Sequence, residues 1–224
     1  MKLIVIEGAD GSGKGTQAEI LYNRLKEKYD NVFLISFPNY GSDGARLVEK
    51  YLNGEIDPDP NKINGFIAST FYAVDRYMFF KENKFPEDAI LISNRYVTSN
   101  LIHQMSKLHE HLWFQFSSWL TDLEYNKYGI PKPDIELYLY LEPETSLELL
   151  MKRYEGDKSK ADIHESIEFQ KQSAKPIKSY LSGDRFTRIS FSENFEVVMC
   201  EEKGKLKSIE KISDMIWDKV KNVL

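Results

Sequence analysis

Short runs of consecutive apolar residues recur along this chain, and longer stretches of helical period separate them. Leu3-Ile4-Val5-Ile6, Val32 to Ile35, Ala89 to Ile92, Ile135 to Leu141 and Val197 to Cys200 read as strands, with Pro38, the Pro131 and Pro133 pair and Gly204 as punctuation. Ile20, Leu21 and Leu25 give a helical pattern soon after the first run. Strands alternating with helices predict an α/β fold, a parallel sheet covered by helices on both faces. Ligands of such sheets bind outside the carboxyl ends of the strands, so the residues after each run are the candidates for chemistry. The segment Ser208 to Val223 places Ile209, Ile212, Ile216, Val220 and Val223 on one stripe and predicts a closing amphipathic helix. The stretch from Ser182 to Glu196 fits neither pattern.

Composition narrows the picture. With 224 residues and 42% apolar content the chain suffices for one α/β domain with a full core, and no shift in composition, internal repeat or low-complexity tract marks a second. One domain over 1–224 is expected. The 30 basic residues are dispersed and the net charge is -5, which argues against nucleic acid as the main partner and favours a small phosphorylated ligand. Lone Cys200 cannot form an internal disulfide, the first residues lack the pattern of a signal peptide, and no apolar run approaches a membrane span. A cytoplasmic protein with no membrane attachment is expected.

The chemistry begins where the first run ends. Glu7 leads into Gly8-Ala9-Asp10-Gly11-Ser12-Gly13-Lys14-Gly15-Thr16, a phosphate loop between a strand and a helix start. Its glycines let backbone N–H groups converge on an anion, Lys14 can follow a polyphosphate, and the positive end of the helix points at the same place. A nucleoside triphosphate is the expected ligand. Gly15 stands where Ser or Thr normally gives Mg²⁺ a hydroxyl, and Thr16 is the nearest substitute. After the second strand, Phe37-Pro38-Asn39-Tyr40-Gly41 forms a turn whose aromatics suit a pocket wall. After the third, Asn94-Arg95-Tyr96-Val97-Thr98-Ser99-Asn100 carries an arginine off the sheet edge toward the phosphate loop. Tyr72 and Arg76, four apart, share a helix face where a ring stacks a base and a guanidinium bonds its edge. By themselves Phe37 and Tyr72 also suit core aromatics, Arg76 and Arg95 structural ion pairs, and Cys200 a small buried residue. No His, Cys and acidic cluster has metal-ligand spacing.

Together the EGxDGxGK-type loop, the FP turn, the DR pair ending an aromatic helix and the arginine-tyrosine pair after the third strand resemble thymidylate kinase. That P-loop family of nucleoside monophosphate kinases phosphorylates dTMP with ATP and Mg²⁺. The likeness runs from Leu3 to about Gln172 and resumes in the last helix. It implies a three-layer P-loop kinase sandwich of about five strands with a mobile lid over about 151–163, and a homodimer. By position it implies that Asp10 binds the sugar 3′-hydroxyl, Tyr72 stacks on thymine and Arg76 reads the base O4. Arg95 would hold the acceptor phosphate with Tyr40 beside it, and Asn100 would approach the base N3. Phe37, His103 and His164 would line the acceptor site. The lid carries Lys152, Arg153, Lys158 and Lys160. Lys14, Arg95, Asp10 and Arg153 are the expected catalytic residues, with Arg153 supplying the cation that a phosphate loop without arginine lacks. Thr16, Asp10 and Glu165, in the lid-end Asp162-Ile163-His164-Glu165, are the expected metal-side groups. Asn94 replaces the family's aspartate and Asn39 a basic residue after FP, which together with Gly15 predicts weaker metal binding or slower turnover. Two other readings stay open: a related P-loop kinase for another nucleotide or a deoxynucleoside, and a nucleotide-binding homologue with a degraded catalytic centre.

Overall fold

The computed structural model describes residues 1–59, 62–153, 167–183, 189 and 191–224, with backbone only for Arg153 and Phe169. The chain runs β1 (Lys2–Gly8), α1 (Lys14–Lys26), β2 (Val32–Ser36), α2 (Arg46–Leu52), α3 (Gly65–Glu82), β3 (Ile90–Asn94), α4 (Val97–Met105) and α5 (Trp113–Thr121). A π-helical segment, Asp122–Lys127, extends α5, and β4 (Ile135–Tyr140), α6 (Pro143–Arg153), α7 (Ile167–Leu181), β5 (Phe195–Met199), the short pair β6 (Glu201–Glu202) and β7 (Lys205–Leu206), and α8 (Ile209–Val220) follow.

The five long strands are the five apolar runs of the sequence, and they form one parallel sheet in the order β2-β3-β1-β4-β5. Central β1 explains why its run is unbroken. Ile4 and Ile6 pack under α1 and α8 with Leu21, Leu25, Ile212 and Ile216, whereas Leu3 and Val5 pack under the helices of the other face with Leu101, Trp113, Phe116 and Leu120. Both faces of the strand are thus covered, so alternate positions have no polar side to show. α8 starts at an N-cap, where the Ser208 hydroxyl accepts from the Lys211 N–H at 3.2 Å. Its stripe holds at Ile212, Ile216 and Val220, but Ile209, expected on it, is 53% exposed because it precedes the first turn that reaches the sheet. In the unplaced stretch, Phe191 stacks on Phe195 at 4.3 Å, and β5 begins two residues before the predicted Val197.

The chain leaves β1 toward β2 on one side of the sheet and meets β4 on the other. The carboxyl ends of β1 and β3 therefore open a crevice where the strand order reverses, and the phosphate loop and the Arg95 turn lie there.

Candidate active site

The phosphate loop closes tightly on its surroundings. Gly11 has φ +86°, and a Cβ there would lie 2.2 Å from the Ser146 carbonyl oxygen of α6; only glycine permits that approach. Gly13 caps α1 in the left-handed region with no side-chain cap, which leaves the positive end of the helix to a ligand anion. Lys14 is buried, its Nζ donating to the Ala9 carbonyl at 3.1 Å and to Asp10 Oδ1 at 3.0 Å. Burial foremost, and then the Arg95 charge, pull this ammonium down to about 8 despite Asp10. Asp10 also accepts from Arg95 Nη2. Burial, its largest single influence, pushes the Asp10 carboxyl up, but Arg95 and Lys14 together outweigh it and hold the group well below the usual carboxylate range.

Arg95 connects this loop to the rest of the crevice. Its backbone is left-handed, φ +69°, unusual for a residue with a side chain, and its N–H donates to the Ile6 carbonyl at 3.1 Å. Nη1 donates to Ser99 Oγ at 3.0 Å and lies 3.2 Å from His103 Nε2. Burial, the largest single influence, lowers the guanidinium affinity for its proton, but Asp10, Glu7 and Tyr72 together more than restore it.

A cavity of about 510 Å³ runs from Gly11 and Lys14 past Arg95 to Tyr72, Asn100 and Gln104. Asp10, Gly13 and Gly15 line its loop end, and Phe37, Tyr40, Arg76 and His103 line its walls, so every described side chain expected around the acceptor meets in one space. Their settings differ. Tyr40 is 62% exposed at the rim. Phe37 is buried in an aromatic cluster with Phe79 and Tyr96, at 5.1 and 5.8 Å, so it serves core and cavity at once. Tyr72 crosses Tyr51 edge to face at 6.2 Å. Arg76 is fully buried and forms a bidentate pair with Glu124, both contacts at 2.6 Å, while Nη1 donates to the Tyr96 carbonyl at 3.4 Å. Asn100 Nδ2 donates to the Ser69 carbonyl at 3.1 Å, which leaves Oδ1 buried without a partner among the described residues. Gln104 Oε1 is likewise unpartnered.

Other expected groups lie apart from this cavity. Gly8 and Ala9 border a small neighbouring pocket, and Ser12 Oγ is buried without a partner among the described residues. Thr16 is exposed and not among the cavity's lining residues. α6 ends at Arg153, whose side chain is outside the described residues together with most of the expected lid, Lys158, Lys160, His164 and Glu165. Sequence reading missed Gln104, although it stands four beyond Asn100 on one helix face, a signal that was present. It also missed Glu124, which a π-helical segment swings under Arg76 against any regular period. Asp75 was read only as half of the DR pair; it accepts the Asn39 N–H at 3.0 Å and so ties α3 to the FP turn.

A parallel sheet with a phosphate loop opening straight into an acceptor cavity defines a P-loop kinase of small phosphorylated acceptors. More narrowly, the chain belongs to the thymidylate kinase family, whose model matches residues 6–201. It is 30% identical over 162 residues to thymidylate kinase of Mycobacterium tuberculosis, covering 71% of this chain and 75% of that one. Thymidylate kinase of Schizosaccharomyces pombe is 23% identical over 222 residues, 99% of this chain and 92% of that one. The solved structure of thymidylate kinase from Candida albicans shares the fold, with a TM-score of 0.70 at 21% identity over 99% of this chain and 91% of that chain.

Proposed function

We propose that this protein transfers the γ-phosphoryl group of ATP to dTMP, giving dTDP and ADP. The observation that carries the reading is the single cavity in which Lys14 and Arg95, both held by Asp10, stand between the phosphate loop and the wall built by Tyr72, Arg76 and Asn100. An oxygen of the acceptor phosphate attacks the γ-phosphorus while the bond to the β-bridging oxygen breaks. That acceptor is largely ionised at neutral pH, so no strong general base is needed. Catalysis is then in-line positioning and charge neutralisation. Lys14 takes the donor phosphates, Arg95 the acceptor phosphate, and Arg153 the transferring group. Tyr72 stacks on thymine, Arg76 reads O4 from its fixed pair with Glu124, and the orphaned Asn100 Oδ1 accepts N3–H. Phe37 and Tyr40 wall the acceptor, His103 and His164 line its polar side, and Asp10 receives the sugar 3′-hydroxyl once the ligand reorganises its ion pairs.

The residues at the loop fit Mg²⁺. Asn94 Oδ1 is buried without a partner among the described residues and lines the same cavity as the Asp10 carboxylate, oxygen donors suited to a hard cation that keeps several waters. Asp10 and Asn94 would hold it, with Thr16 and Glu165 acting through water. When bound it neutralises charge on the donor phosphates. Asn94 contributes no charge there, which fits looser binding than an aspartate gives.

We read the chain as one phosphotransfer domain, 1–224, with its lid over about 151–163, working as a cytoplasmic homodimer on small nucleotides. Phe66 of α3 packs on Phe116 of α5 at 5.0 Å while neighbouring Ile67 and Phe114 stay more than half exposed, which supports an apolar contact face. The deciding experiment measures ATP consumption with Mg²⁺ against dTMP, dUMP, dCMP, AMP, GMP, UMP and thymidine. Fast turnover with dTMP and weaker turnover with dUMP is expected; turnover confined to another acceptor, or none despite dTMP binding, would overturn the reading.

A further inference from the structure

The last residue before the phosphate loop is a carboxylate with no access to solvent. Glu7 ends the apolar run of β1 and is 0% exposed, where an unpartnered charge would be costly. Among the described residues its hydrogen-bond partners lie in the turn after β3 and the first turn of α4. Oε1 accepts the N–H groups of Tyr96, at 2.6 Å, and Ser99, at 3.1 Å, and Oε2 accepts the Ser99 hydroxyl. The same Ser99 oxygen accepts from Arg95 Nη1 at 3.0 Å. A continuous chain of bonds therefore runs from Glu7 through Ser99 to the guanidinium. Because that hydroxyl donates to Glu7, its lone pairs face Arg95, and reversing the hydroxyl would turn them away.

The backbone around Arg95 points the same way. A left-handed arginine is strained and persists only where its surroundings over-determine it. Glu7 clamps the amides after it, the Ile6 carbonyl accepts its own N–H, and Ser93 Oγ donates to its carbonyl at 2.6 Å. On the neighbouring strand Glu136 is also fully buried, and burial, with the charge of Glu7 next, pushes its carboxyl up to about 8.

We propose that Glu7 is a positioning residue for the acceptor: its buried carboxylate, acting through Ser99 and the first amides of α4, sets the direction of the Arg95 guanidinium. This rests on the reading of Arg95 as the ligand of the acceptor phosphate. Glu7→Gln keeps the shape and an oxygen for the two amides but presents N–H to Ser99, which reverses the hydroxyl and removes the charge. The KM for dTMP should rise about tenfold, with the KM for ATP unchanged within about twofold and the thermal midpoint close to that of the parent. Ser99→Ala, which breaks the relay and leaves the buried carboxylate in place, should shift the KM for dTMP in the same direction. In an Arg95→Ala background Glu7→Gln should add nothing. If Arg95→Ala raises the KM for dTMP while Glu7→Gln and Ser99→Ala do not, or if Glu7→Gln costs as much with Arg95 absent, the positioning role is wrong and the reading of Arg95 stands. If Arg95→Ala leaves dTMP binding unchanged, the reading of Arg95 falls and the role of Glu7 falls with it.

Discussion

Lys14 illustrates how burial prepares a charge for a ligand. Its ammonium titrates near 8 because the loop strips it of water and Arg95 repels it, and Asp10 offsets only part of this. A bound polyphosphate adds negative charge beside it and raises its affinity for the proton again. Below about pH 7 the lysine is already charged and ATP should bind without proton exchange; at pH 9 it is mostly neutral when free, so ATP binding should take up close to one proton. Calorimetry in buffers of different ionisation heat reads this directly, and Lys14→Arg should abolish the uptake because arginine stays charged. Gly15 presents the complementary case of a missing group. A Cβ there would sit 3.8 Å from Asn94 Nδ2, an ordinary contact, so a hydroxyl can be added without strain. Gly15→Ser should therefore lower the Mg²⁺ concentration for half-maximal rate severalfold, and Asn94→Asp should do likewise by restoring charge. An unchanged metal titration in both variants would place the metal elsewhere.

Strands were easy to read because every long strand lies in the sheet under helices, and apolar runs such as Leu3 to Ile6 have no other use than a core. Helix α8 was legible for the same reason, through a stripe that meets the sheet. The π-helical segment Asp122–Lys127 was not, because its side chains follow no regular helical period. The turn between β6 and β7 was hidden as well: Lys203 and Gly204 both adopt positive φ, and only the glycine was visible as punctuation. The hidden π segment carries energetic weight, since it delivers Glu124 to Arg76. Both partners are almost fully buried, so removing one leaves a charge without compensation. Glu124→Ala should cost about 3–5 kcal/mol of stability, measured as a lower urea midpoint at unchanged slope. A loss under about 1 kcal/mol would mean that water or another group already compensates Arg76.

The site draws chiefly on the loop after β1, the turn after β2, helix α3, the turn after β3 with α4, and α6, and the sheet order brings the strand ends among them to one edge. Residues at strand ends were therefore legible as candidates, whereas a partner such as Glu124, which holds Arg76, came from an element with no motif of its own. The same topology argues for where the missing cation comes from. The phosphate loop holds lysine but no arginine, and α6 is anchored against it by the contact of Gly11 with Ser146, while Leu150 one turn further lines the cavity. Arg153 ends that helix seven residues beyond Ser146, two turns along the same face and about 10 Å from the anchor. The backbone that carries residue 153 is thus continuous with the helix that meets the loop at Ser146 and lines the cavity at Leu150. Arg153→Ala should then lower kcat by at least about 10³-fold while the KM values for ATP and dTMP change only severalfold, because the lost interaction forms chiefly in the transition state. Single-turnover measurement separates this from slowed product release. If the chemical step keeps its rate, the neutralising charge does not come from Arg153, and Arg95 and Lys14 carry the transition state between them.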